Sequence, residues 1–375
     1  MEEVKILELF GGIGAIRKAF ERCKIPYKVI DYVEIDKYAV KSYNAMFNES
    51  FEPQDITTWD KDINVDFIMH GSPCQDFSVA GKQAGGDVGS GTRSSLMYET
   101  IRIVGKLRPK YVLWENVKNL LSKKHKHNFD AYVETMNVLG YNSYYEVLNA
   151  KNYGIPQNRE RVFTISIRKD IDKGNFKFPE KEELKLRLKD MLEDEVDEKY
   201  YLSEISIKNL QRNFGSKAKE VNINGICDTL QAAMGNGGGN IPVIQSDEIK
   251  VIGKLDIKGQ DIIKRVYSQE GISPTLTDMQ GGNRQPKTVT NNLRIRKLIP
   301  KECWRLMGFA DEDFIKAEKV NSNTQLYKQA GNSIVVNVLE KILQNLFIGE
   351  NYEWKRNFRK NKWFNRNLRC WNCRF

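Results

Sequence analysis

Val4-Lys5-Ile6-Leu7-Glu8-Leu9, running into Phe10-Gly11-Gly12-Ile13-Gly14, decides the fold. The first six residues read as a strand. The glycines let the backbone turn tightly and let a ligand approach the start of the next element. That element is a helix over residues 15–22, with Ile16, Ala19 and Phe20 at helical spacing. A second β-rich run, residues 27–33, ends at Glu34 and Asp36. An acidic residue about 20 positions past such glycines suits a ribose diol. Arg17 stands where a nicotinamide fingerprint wants its third glycine, so adenosylmethionine fits better than NAD.

Further along, the same alternation continues. A helix over 37–46 precedes Gln54-Asp55-Ile56, a segment able to close on an adenine ring. A hydrophobic strand over 65–69 leads into Gly71-Ser72-Pro73-Cys74-Gln75-Asp76-Phe77-Ser78. Cys74 therefore sits just past a strand's carboxyl end, where open α/β sheets bind ligands. It reads as a nucleophile or as a small packed residue. The polar loop 78–95 behind it is too long for a mere connector. A helix over 96–107 is broken by Pro109, and Tyr111-Val112-Leu113-Trp114-Glu115-Asn116-Val117 is another buried strand, this one ending in a carboxylate. Strand and helix alternating at this spacing predict a doubly wound parallel sheet with Cys74 and Glu115 at one edge. A helix over 128–139 and strands over 144–148 and 162–167 follow, the last entered through Gln157-Asn158-Arg159-Glu160-Arg161. Arg159 and Arg161 share a face if extended, aimed at a phosphate or base carbonyl, or else form a salt-bridged strand edge.

From residue 172 to 292 periodicity weakens and polar and glycine content rises, with a charged helical segment over 182–197. This reads as an inserted second domain. It holds an imperfect repeat: Cys227-Asp228-Thr229-Leu230 with a later glycine cluster, and Ser273-Pro274-Thr275-Leu276 with Gly281-Gly282-Asn283. Thr229, Gln231, Thr275, Asn283, Arg284 and Gln285 are its candidate base-edge or backbone contacts; two ordinary hairpins are the alternative. The first domain resumes over 293–348, with a helix over 298–307 halted by Gly308 and a long apolar helix reaching residue 347.

Composition bounds the rest. The chain has 375 residues and a net charge of +10, which points to a polyanionic partner. Residues 350–375 carry eight basic and two acidic side chains, hence +6, leaving +4 for the body. That tail interleaves Trp354, Phe358, Trp363, Phe364 and Trp371 with its cations, as a DNA-gripping arm, a partner-binding arm or a solvated extension would. Six scattered cysteines form no disulfide framework, and Cys370 with Cys373 lacks the further ligands a zinc site needs, so no metal is expected. No signal peptide and no run long enough to span a membrane are read, so the expected location is the cytoplasm.

Taken together these motifs resemble the bacterial and phage C5-cytosine DNA methyltransferases. The matching segments, in the family's order, are Leu9 to Gly14, Gly71 to Ser78, Glu115-Asn116-Val117, Gln157 to Phe163 and Gly331-Asn332-Ser333. The resemblance covers residues 3–348, departs at Gln54, where the family often has glycine, and leaves the tail unmatched. It implies a Rossmann-like adenosylmethionine-dependent methyltransferase domain with an inserted, irregular β-rich target-recognition domain. It implies Cys74 as nucleophile toward cytosine C6, Glu115 at N3, and Arg159 and Arg161 at the base O2. Phe10, Gly12, Gly14, Glu34, Asp36, Asp55, Ile56, Pro73, Leu96, Asn332 and Ser333 are the implied lining for S-adenosyl-L-methionine. Gln75, Ser78 and Arg93 are the implied lid residues over a flipped base in double-stranded DNA. A monomer is expected, and whether a cognate restriction endonuclease, not a physical partner, belongs to the same system is left open by the sequence. The rivals are tRNA methylation by the same chemistry, a non-catalytic DNA-binding relative and a nucleotide-binding oxidoreductase. The inserted domain argues against the first, the intact Cys74, Glu115, Arg159 and Arg161 against the second, and Arg17 against the third.

Overall fold

The computed structural model describes residues 2–72, 96–200, 251–255, 257, 261–269, 272–276, 285–289 and 295–348. The first strand, β1 (Val4–Leu9), is buried along nearly its whole length. Its side chains alternate between two cores: Ile6 joins the cluster around Phe20 and Leu339, while Leu7 and Leu9 join the cluster around Val104 and Trp114. Burial on both faces marks a central strand of a largely parallel sheet. At its end Phe10, Gly12 and Gly14 all take positive φ, at 53°, 56° and 76°. Gly14 is further constrained, since a Cβ there would lie 2.5 Å from the Phe47 ring. The chain then enters α1 (Ala15–Cys23), which buries Ala15, Ile16, Ala19, Phe20 and Cys23 as one stripe.

The elements that follow are β2 (Tyr27–Val33), α2 (Lys37–Phe47), β3 (Phe67–His70), α3 (Met97–Leu107), β4 (Tyr111–Val117), α4 (Lys126–Val138), β5 (Tyr141–Asn149), β6 (Gln157–Asn158) and β7 (Glu160–Arg168). The six-stranded sheet has the order β2-β1-β3-β4-β7-β5. Because β1 is flanked by β2 on one side and β3 on the other, a crevice opens past its carboxyl end.

The parallel reading holds for β2, β1, β3 and β4, while the sheet as a whole is mixed. β7 runs antiparallel to both β4 and β5. A parallel return needs a crossover of a dozen or more residues. The chain between β5 and β7 holds only a short 3-10 turn, Ala150–Tyr153, Gly154 at φ 83°, and β6. The charged helix expected over 182–197 is also absent; a single 3-10 turn, Leu188–Met191, stands there. Its backbone donors go to other elements: Lys189 N donates to Gln269 O at 3.1 Å and Glu193 N to Glu302 Oε1 at 2.9 Å. Leu184, Leu188 and Met191 are buried regardless, so tertiary packing overrides helical propensity.

A second sheet orders Ile295–Lys297, Lys287–Val289, Arg265–Tyr267 and Val251–Lys254. The strand Ile295–Lys297 lies within the stretch read from sequence as the returning catalytic part. Ser273–Pro274 pairs in parallel with β6, tying this region to the first. The chain returns through four helices, Pro300–Arg305, Asp311–Glu318, Asn323–Asn332 and Val336–Leu343. The middle two are not read from the sequence. The last regular helix ends earlier than expected, in a π-helical turn, Gln344–Ile348, that sets Phe347 against Phe20, Phe67 and Tyr111.

Candidate active site

The carboxyl ends of β1 to β4 converge on one crevice. Phe10, Gly11, Gly12, Glu115, Asn332 and Ser333 are among the residues lining a pocket in it. Glu34, just past β2, fixes the glycine turn: Gly12 N donates to Glu34 Oε2 at 3.0 Å and Asp36 N to Oε1 at 2.9 Å. Burial pushes the Glu34 carboxyl up, against the pull of those amides. Tyr32 hydroxyl donates to Gly12 O at 2.5 Å, so the turn is held from both sides. A Cβ on Gly12 itself would meet nothing within 4 Å, which leaves this turn open to a ligand. Asp36 caps α2 through Tyr38 N and forms an ion pair with Lys328 at 2.7 Å. Lys328 lies on the Asn323–Asn332 helix, so the far end of the chain closes the site.

Between Glu34 and Asp36 the side chain of Ile35 is 69% exposed. It directly follows Glu34, whose carboxyl holds the glycine turn, so this apolar side chain stands in water next to a residue of the site. The sequence reading overlooked it, although an apolar residue between two acids at a strand end is a legible signal. Asp55 is exposed and accepts from Thr57 N at 2.9 Å, whereas Ile56 is buried. Leu96 lies immediately before α3 and packs into the Trp114 cluster.

On the sheet's other half, Glu115 Oε1 lies 3.1 Å from Arg161 Nε, and both side chains are largely buried. Burial pushes the Glu115 carboxyl up, opposed by the guanidiniums of Arg161 and Arg159, and burial wins. A Cβ on Gly71 would lie 3.8 Å from Glu115 Oε2, so the carboxyl sits beside the entry to the cysteine-bearing segment. Trp114 Nε1 donates to Ser72 Oγ at 3.1 Å and Asn116 Nδ2 to Ser72 O at 3.4 Å, so the two neighbours of Glu115 grip that segment's first residues.

Arg159 is a strut. Its Nη1 donates to Leu276 O at 2.9 Å, and its Nη2 donates to Ser333 O at 2.8 Å and Gly331 O at 3.1 Å. It thereby fixes the Asn332-Ser333 turn, in which Asn332 is exposed and Ser333 buried. Gln157, fully buried, works beside it, donating to Leu306 O at 2.7 Å and accepting from Leu276 N at 3.1 Å. Thr275 gives its hydroxyl proton to Asn158 O at 2.5 Å, so this side chain docks the second region onto β6. Gln285 is half-buried at the start of Lys287–Val289. Two further buried ionisable groups flank the crevice. Glu8 on β1 is pushed up to about 7 by burial, and His70 at the end of β3 is pushed down to about 3 by burial, with Nε2 3.1 Å from Tyr132 hydroxyl.

Pro73, Cys74, Gln75, Ser78, Arg93, Thr229, Gln231, Asn283, Arg284 and the tail lie outside the described residues. Among the described residues no cluster of three or more His, Cys, Asp or Glu is placed to hold a metal. No helix among them is long and apolar enough to cross a membrane.

A glycine turn, a buried carboxyl–guanidinium pair and a closing C-terminal turn on a mixed sheet define an α/β methyltransferase fold. Residues 4–347 match the C-5 cytosine-specific DNA methylase family, and the chain belongs to it. It is 34% identical to the orphan methyltransferase M.SPBetaI of Bacillus phage SPbeta, over 92% of this chain and 98% of that one. It is also 34% identical to the type II methyltransferase M.HhaI of Haemophilus parahaemolyticus, over 93% of this chain and 96% of that one. Among solved structures, the Dnmt2 methyltransferase of S. pombe superposes with a TM-score of 0.63 at 18% identity, covering 93% of this chain and all of that one. A putative DNA modification methyltransferase from an E. coli prophage gives 0.60 at 21% identity, covering 93% and 100%. The chain is a DNA cytosine-5 methyltransferase.

Proposed function

We propose that the chain moves a methyl group from S-adenosyl-L-methionine to C5 of a cytosine flipped out of a specific duplex sequence, through a covalent bond between Cys74 and C6. The observation that carries this reading is the buried Glu115–Arg161 pair, whose carboxyl lines the same pocket as the glycine turn.

The residues present fit the cofactor. Each Glu34 oxygen holds one backbone amide and keeps acceptor capacity for a ribose hydroxyl. Phe10 would stack on the cofactor's ring, and Gly12 and Gly14 would hold the amino-acid portion with Asn332 and Ser333. Ile35, Asp55, Ile56, Pro73 and Leu96 would hold the adenine side, with Asp36 beside the ribose. When bound, this cofactor supplies an electrophilic methyl on a sulfonium.

Cytosine C5 is a weak nucleophile until C6 is attacked. The Cys74 thiolate adds to C6, and C5 becomes enamine-like. Glu115, with its raised pKa, holds a proton at N3 and stabilises the adduct. Arg161 holds the base O2 and keeps Glu115 oriented, while Arg159 holds the framework behind them. Loss of the C5 proton and β-elimination then release Cys74. Because these atoms are unreachable inside a duplex, the base leaves the stack, and Gln75, Ser78 and Arg93 cover it. Thr229, Gln231, Asn283, Arg284 and Gln285 read the surrounding sequence, with Thr275 anchoring the second repeat. The enzyme works as a monomer in the cytoplasm of a bacterium.

Labelled-methyl transfer to duplex DNA and to tRNA tests the substrate, and bisulfite sequencing of DNA from expressing cells gives the site. Methyl label in DNA at one recurring sequence is the expected result. Label confined to tRNA would overturn it.

A further inference from the structure

The turn that carries Asp55 and Ile56 is held in a frame that takes no part in the chemistry. Asp31, on edge strand β2, is buried at 4% exposure, and its side chain bonds to residues 54–61 and to the next backbone amide. Its Oδ1 accepts Gln54 Nε2 at 3.0 Å and Tyr32 N at 3.0 Å. Its Oδ2 accepts Trp59 Nε1 at 2.8 Å and Lys61 Nζ at 2.7 Å. Burial alone would raise this carboxyl, but the donors Lys61, Trp59 and Gln54 outweigh it and hold it below the usual range. Gln54, a departure from the family pattern, ties the turn down twice more, through its side chain to Tyr32 O at 2.7 Å and its backbone N to Glu34 O at 2.9 Å. From the opposite side, Arg102 on α3 donates through Nη2 to Ile56 O at 3.1 Å and Trp59 O at 2.9 Å, steadied by Glu99 at 2.8 Å.

We infer that Asp31, Gln54, Lys61 and Arg102 are positioning residues that preform the adenine side of the cofactor site and so set cofactor affinity rather than the rate of methyl transfer. The inference rests on the reading of Asp55 and Ile56 as adenine contacts. A ligand that meets a prebuilt turn does not have to order it on binding, and that saved ordering appears as affinity. Gln54 here takes over, by side-chain bonds, the shaping that a bare glycine leaves to the backbone alone. Asp31→Asn keeps the shape but turns one acceptor into a donor facing donors. Either Gln54 and Tyr32 N or Trp59 and Lys61 then lose their partner.

The test measures binding of S-adenosylmethionine, S-adenosylhomocysteine and adenosine, together with single-turnover methyl transfer at saturating cofactor. The proteins are the full-length chain, Asp31→Asn and Lys61→Met. Asp31→Asn should weaken all three ligands by roughly ten-fold or more, the scale of one lost charge-assisted bond. Lys61→Met, whose side chain is half exposed and so leaves the fold intact, should weaken them in the same order by a smaller factor. The saturated rate and the DNA affinity should stay as in the parent. Unchanged cofactor affinity in both variants, or a fall in saturated rate without loss of affinity, would overturn the inference. Failure of the parent itself to bind S-adenosylmethionine would instead overturn the reading on which it rests.

Discussion

Arg161 Nε and Glu115 Oε1 are 3.1 Å apart because β4 and β7 are antiparallel. Val117 registers with Arg161 and Glu115 with Phe163, so the pair is diagonal, two positions apart on one face of adjacent strands. The reversal of β7 that breaks the parallel sheet thus delivers the guanidinium to the carboxyl. A cation so close would ordinarily keep a carboxylate ionised. Here burial outweighs it, leaving a carboxyl able to carry a proton to a base.

Removing that proton carrier should slow chemistry without removing the site. In Glu115→Gln the single-turnover rate should fall by about 100-fold or more, the scale for a positioned acid. Cofactor affinity should change little. A rapid-quench measurement with labelled methyl checks this, and an unchanged rate would remove Glu115 from its role.

Arg161→Met should move the basic limb of the pH–rate profile upward. Arg161 lowers the Glu115 pKa, so its loss lets the carboxyl keep its proton to higher pH. The rate at neutral pH should fall as well, since the base O2 loses its donor. Single-turnover rates from pH 6 to 9 read both effects, and a limb that stays in place would contradict the assignment.

Gln157→Ala should destabilise the fold and loosen the second region together. The amide is fully buried and bridges Leu306 O and Leu276 N, so its loss strands two backbone groups. A cost of about 1–3 kcal/mol for each stranded group, seen as a lower melting temperature, is expected. The Michaelis constant for DNA should rise more than that for the cofactor.

Glu8 should give stability a pH dependence of its own. Its pKa is raised from 4.5 to about 7, so between those values the folded chain keeps a proton that the unfolded chain has lost. Its contribution to stability is therefore present below pH 4.5, is lost as pH rises to about 7, and is flat above. Glu8→Gln has no such proton, so its stability relative to the parent should improve across that window, by up to about 3 kcal/mol. Melting temperatures of both proteins at pH 5 and pH 8 check it; a constant difference would contradict the raised pKa.

Much of this site was legible in sequence because its parts are local. Glycines before a helix, an acid at the end of the second strand and a carboxylate at the end of the fourth each announce themselves within a few residues. The strut role of Arg159 does not, because its partners are backbone carbonyls at Leu276, Gly331 and Ser333, more than a hundred residues away. The antiparallel β7 was within reach: too few residues separate it from β5 to make a crossover. The helices Asp311–Glu318 and Asn323–Asn332 are short and polar, with few buried apolar side chains, so periodicity barely marks them. Residues 182–197 fail the other way, carrying a helical pattern whose backbone bonds are taken by neighbours.

The covalent step is the centre of the account, and trapping it tests the account most directly. A duplex carrying 5-fluorocytosine at the site found by bisulfite sequencing cannot lose a proton from C5, so the adduct persists. Denaturing mass spectrometry should then find the parent chain joined to methylated DNA, with the link at Cys74, and should find no such species for Cys74→Ala. An adduct that survives in Cys74→Ala, or parent-like turnover in Cys74→Ser, would contradict the account.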